Sequence, residues 1–156
     1  MKTDTSISSY LGERARQREC WIVFSGQSDL RFLKPLRRGF KHCFALIKDG
    51  EQWLCIDPLA SHTDVLVHSL PAAFDLPGWF AARGHKVMKA QMQKPKTIAP
   101  LAWLSCVGQI KRVLGLHKPF ILTPWQLYLY LVREQRTARR SAVAGIFNPL
   151  FKAKGA

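Results

Sequence analysis

The dipeptide Asp49-Gly50, set between the apolar runs HCFALIK and EQWLCIDP, constrains the fold more than any other feature of the chain. Asp-Gly in that setting is a strong hairpin signal. With Asp49 and Gly50 as the two loop residues, the turn predicts Lys48 opposite Glu51, Leu46 opposite Trp53, Phe44 opposite Cys55 and His42 opposite Asp57. Directly opposed side chains share a face of the sheet, with Cβ atoms about 4.5–5.5 Å apart. An imidazole held beside a carboxylate in this way is the base and orienting group of a nucleophilic triad: the carboxylate fixes the ring tautomer and stabilises the imidazolium. The hairpin itself supplies no nucleophile.

The candidate nucleophile is Cys106, in the segment LSCVGQIKRVLGL. Val107, Ile110, Val113 and Leu114 recur there at helical spacing, and Ser105 suits the N-cap position just before them. A cysteine in the first turn sits at the positive end of the helix dipole, where the thiolate is favoured and the pKa falls below its ordinary value of roughly 8.5. Each part also has a bland reading. A His opposite an Asp serves as a structural hydrogen-bonded pair, and a first-turn Cys serves as a small core residue. Together they make up the three parts a single mechanism needs.

A His on one strand, a polar partner on the next and a later Cys opening a helix, as in His42, Asp57 and Cys106, is an order that resembles the circularly permuted papain-like superfamily. Its members include cell-wall peptidases and amidases of bacteria and phages, and the lecithin retinol acyltransferase branch. The stretch from His42 through Trp53 to Asp57-Pro58 is similar to the His-to-Asp segment of transglutaminase-like cysteine enzymes, where the tryptophan and the Asp-Pro recur at nearly this spacing. The segment around Cys106, followed by LGL and TPWQLYLYL, also resembles the ending of small phage-borne proteins of the permuted group. The likeness covers roughly residues 20 to 131. Transglutaminases place the Cys before the His, which keeps Cys20 as a rival nucleophile. Cys20 opens CWIVFSG, an apolar run that reads as a strand, and ranks below Cys106.

The resemblance implies an α+β fold, an antiparallel sheet packed against a Cys-bearing helix, papain-like in permuted order. It implies thiol-dependent amide or peptide hydrolysis, or acyl transfer, with Cys106 as nucleophile, His42 as general base and then acid, and Asp57 as orienting group. No metal or organic cofactor is required. Trp53, Trp103 and Trp125 are candidates for a cleft wall or for core. His62, in the loop LASHTD, is a surface residue, a substrate contact or a substitute orienting group. A zinc site would need His42, Cys43, Cys55 and His62 to converge, and neither a C-x-x-C nor an H-x-x-x-H pair supports it.

With 156 residues, 47% of them hydrophobic, the chain fits one domain with a real core. No run reaches the ~18 apolar residues of a membrane span, and MKTDTSISSYLGERARQRE lacks a signal-peptide core. The expected location is cytoplasmic or virion-associated. Four cysteines without close spacing suggest reduced thiols. The formal charge of +14, from 24 Lys and Arg against 10 Asp and Glu, implies a polyanionic neighbour: an acidic polymer, an anionic membrane face, an acidic protein surface or nucleic acid. The basic residues cluster in ERARQR, LRFLKPLRRGFK and VREQRTARR. No helix-turn-helix, zinc finger or stacking motif accompanies them. A non-catalytic structural component of a phage particle, or a polyanion-binding protein, on the same scaffold is the competing class.

Punctuation along the chain predicts a polar arm over 1–19, a papain-like α+β domain over 20–140 and a C-terminal tail over 141–156 that docks on other proteins, virion proteins among them. Within the domain it predicts strands over 20–25, in TDVLVHSL and over 84–92, a break in PAAFDLPGW, and a second long helix from Thr123-Pro124. In TDVLVHSL, Val65 and Val67 share one face and His68 takes the other.

Overall fold

A computed structural model describes residues 18–26, 36–71, 73–93 and 105–151, with side chains to residue 143. The polar arm up to residue 17, the first half of the basic segment LRFLKPLRRGFK, the loop KPKTIAP, Trp103 and the apolar side chains of the tail therefore lie outside the described residues.

Five strands form one antiparallel sheet: β1 Glu19–Ser25, β2 His42–Asp49, β3 Gln52–Pro58, β4 Thr63–Ser69 and β5 Lys86–Ala90, in the order β4-β3-β2-β1-β5. Three helices complete the fold: α1 Leu76–Ala82, α2 Cys106–Leu114 and α3 Pro124–Phe151. The fold is thus α+β, with the helix that opens on Cys106 packed against β2 and β3.

The central strands are apolar at consecutive positions because both of their faces are covered. Cys20, Ile22 and Phe24 of β1 and Cys43, Ala45 and Ile47 of β2 face Val107, Ile110 and Leu114 of α2 and Leu127 and Leu131 of α3. On the other side Val23, Phe44, Leu46 and Trp53 surround Leu76 of α1. Each Val, Leu, Ile or Phe among them, once fully buried, contributes about 1.5–3 kcal/mol through removal of apolar surface from water.

The hairpin register differs from the sequence expectation by one step of the turn. Asp49 pairs with Gln52, Lys48 with Trp53 and Leu46 with Cys55, so Gly50 and Glu51 form the tip. An Asp-Gly tip of type I′ would require positive φ at both residues, but only Gly50 has it, at 62°. Glycine at the first central position is instead the demand of a II′ turn. The paired positions therefore sum to 101 rather than 99, a slip of two. Because side chains alternate with a period of two, a slip of two keeps every residue on its expected face. His42 and Asp57 become diagonal neighbours on one face rather than directly opposed.

PAAFDLPGW is more than a break. Asp75 caps α1 by accepting the Gly78 N–H at 2.9 Å, and Pro77 fits its first turn. The helix α3 starts as expected, with Thr123 Oγ1 accepting from Gln126 N–H. Gln126 Oε1 returns the bond to the Thr123 N–H, a reciprocal capping box that sequence reasoning missed. That helix runs on to Phe151, through the first part of the segment expected to be a tail.

Candidate active site

Cys106 begins α2, and Ser105 is the cap: its Oγ accepts from Gly108 N–H at 3.1 Å, and its carbonyl accepts from Gln109 N–H. The N–H groups of Cys106 and Val107 remain at the open end of the helix, where they can receive negative charge. Val107, Ile110 and Leu114 anchor the helix on the sheet and thereby hold the Cys106 sulfur near the start of β2.

His42 is the first residue of β2 and Asp57 lies next to the end of β3. The ring Nε2–H of His42 donates to Asp57 Oδ1 at 2.6 Å, a short charge-assisted contact. The ring lies near-parallel to that of Phe44, with centroids 6.3 Å apart. With Nε2 taken by Asp57, Nδ1 is the nitrogen left for Cys106, whose sulfur is hydrogen-bonded to the His42 ring. Burial opposes a charge on His42, but the Asp57 bond and the Cys106 sulfur outweigh it and raise the imidazole pKa to about 9.

A fourth residue belongs to the cluster. Cys43, fully buried and next to His42 in sequence, points to the helix side of β2, and its thiol donates to the Cys106 sulfur. This bond is the largest influence on Cys106. It outweighs burial and, with the hydrogen bond and charge of His42, lowers the Cys106 pKa to about 5. The Cys43 thiol is in turn pushed well up, because it donates to Cys106 and is itself buried. Its signal was available in the sequence: alternation along the strand puts residue 43 on the face opposite residue 42, the face a packed helix must cover.

The other sequence candidates are placed elsewhere. Cys20 is buried in the core under α2 and α3, and burial pushes its thiol up to about 12. Cys55 lies on the α1 side, its thiol raised to about 11 chiefly by burial. His62 is exposed and pairs with Asp64 at 3.1 Å and with Ser61, so it does not orient His42. The four residues of the zinc reading do not converge, and the described residues contain no group of three or more His, Cys, Asp or Glu able to hold a metal. Trp53 is core, its ring tilted against that of Trp21 with centroids 5.3 Å apart, and does not line a cleft. Trp125 packs between Phe40 and Tyr128 beneath the Arg37 guanidinium. A cavity of about 240 Å³ lies away from the site, between the end of β5 and α3, lined by Ala90, Leu116, Tyr130 and Leu131 among others.

No family model, curated protein or solved structure matches the chain. None of the described helices is long and apolar enough to cross a membrane.

Proposed function

We propose that the chain is a thiol-dependent acyl-transfer enzyme, an amide or peptide hydrolase of the permuted papain-like kind. The observation that carries this reading is the continuous hydrogen-bonded line Asp57–His42–Cys106 at a helix start. Cys106 would attack a carbonyl as thiolate, forming the S–C bond. The oxyanion would rest on the Cys106 N–H and a neighbouring donor. His42, as imidazolium, would protonate the leaving amine as the C–N bond breaks, then take a proton from the water that releases the acid and frees Cys106. Asp57 would hold the ring and stabilise its charge throughout.

The +14 charge supports a substrate or neighbour rich in acidic groups, as in bacterial or phage envelope chemistry. Arg133, Arg136, Arg139 and Arg140, all exposed on α3, contribute to such a surface. A structural component that keeps the scaffold without the chemistry is the alternative, and it shares this surface.

An activity-based thiol probe separates the two. Enzyme chemistry requires labelling that vanishes in Cys106→Ala and drops in His42→Ala, whereas similar labelling of all four cysteines leaves only the scaffold.

A further inference from the structure

β4 is an edge strand whose outer side pairs with no strand among the described residues. Its two faces are unlike those of its neighbours. Val65, Leu66 and Val67 are 58%, 50% and 57% exposed, so apolar side chains stand in the open on both faces. Edge strands are ordinarily guarded by lysine, proline or a covering element. The opposite edge follows that rule: β5 carries Lys86 and Lys89, and Gln135 of α3 donates to the Lys89 carbonyl at 2.8 Å. In a chain with 24 Lys and Arg, β4 has none.

The sequence of β4, Thr63-Asp64-Val65-Leu66-Val67-His68-Ser69, is a chemical palindrome about Leu66. Laid antiparallel on itself, it sets Leu66 against Leu66, Val65 against Val67, Asp64 against His68 and Thr63 against Ser69. Every opposed pair is matched, apolar with apolar, acid with base, hydroxyl with hydroxyl. The register is also sterically allowed. Backbone N–H and C=O groups point to alternate edges with a period of two, so a strand can pair with its own copy only when opposed positions have the same parity. All four pairs do.

We infer that β4 is a self-association edge: two copies of this chain join β4 to β4 about a two-fold axis at Leu66, forming a continuous ten-stranded sheet. The two-fold makes the contact isologous and closed, so it ends at a dimer. Asp64, which already contacts His62, gains His68 of the second copy on each side of the axis. The two faces of the joined sheet stay distinct, with both copies of α1 on one side and both copies of α2 on the other.

Sedimentation of the full chain at an ionic strength of about 0.15 M, where the +14 charges are screened beyond about 8 Å, reads the association. The expected mass is twice 17.8 kDa. Leu66→Lys, which places like charges face to face, is expected to give a folded monomer, with folding checked by circular dichroism. Mild oxidation supplies a second readout. Leu66→Cys is expected to form a reducible covalent dimer, while Val65→Cys, which faces Val67, cross-links several-fold less. A wild-type monomer, a Leu66→Lys dimer, or equal cross-linking at positions 65 and 66 overturns the inference.

Discussion

At Cys106 influences of opposite sign meet. Burial disfavours the thiolate, while the Cys43 thiol, the His42 ring and the Cys43 backbone favour it, and the donors win, since the pKa falls to about 5. His42 moves the other way, to about 9. Between these two values the pair stands as thiolate and imidazolium, the state in which attack and leaving-group protonation are both available. Turnover on a suitable amide is therefore expected to rise as pH passes about 5 and to fall as it passes about 9. Cys43→Ala removes the strongest donor, so the acid limb of the pH–rate profile should move up. A rise of its midpoint from about 5 to about 6 would cut the thiolate present at pH 5 from about one half to about one tenth. Cys43→Ser keeps a donor and should move the limb less, which separates hydrogen bonding from packing. Asp57→Asn keeps the shape but removes the charge facing His42. Turnover is expected to fall by about 10²–10⁴-fold, with the alkaline limb moved down, read from the same profile.

The elements hold these groups together through local chemistry. Ser105→Ala removes the bond to the Gly108 N–H, so the start of α2 should lose about 0.5–2 kcal/mol, measured by urea unfolding. Gly26 follows β1 at its closest approach to Gly39, where an added Cβ would stand 3.0 Å from the Gly39 Cα and 3.1 Å from its nitrogen. Gly26→Ala must therefore push backbone against backbone, just where Lys41 N–H bonds the Ser25 carbonyl beside His42. A loss of about 1–3 kcal/mol in the same unfolding assay is the expected cost. Much at this scale is legible in sequence. The helix start at Ser105-Cys106 and the Thr123-Pro124 start follow from capping preferences, and His42 and Asp57 fall on one face because alternation survives a slip of two. The register itself is not legible, because Asp-Gly fits two turn types that differ in the residue that takes positive φ. The helix α1 is hidden because it has only seven residues and includes proline and glycine, the usual marks of a loop.

In the whole molecule, the sheet is covered on two sides but at its edges only β5 is guarded among the described residues. Alternation of residues in TDVLVHSL predicts a strand but not its place in the sheet, because strand order depends on contacts distant in sequence. The charge is fully legible from composition, and its partner is not, since a net charge selects the sign of a neighbour and not its chemistry. Retention on an immobilised polyanion is expected to weaken with added salt. Replacing Arg133, Arg136 and Arg140 by Glu should lower the eluting salt further if α3 is the contact surface, and leave it unchanged if the contact lies elsewhere.

If sulfur, ring and acid form one charged unit, residue-resolved alkylation of the four thiols as a function of pH reports it. Cys106 is expected to titrate near pH 5, to move markedly upward in His42→Ala, and to react well before Cys20, Cys43 and Cys55. A Cys106 midpoint near the ordinary thiol value of roughly 8.5, or one that does not change when His42 is removed, would contradict that coupling.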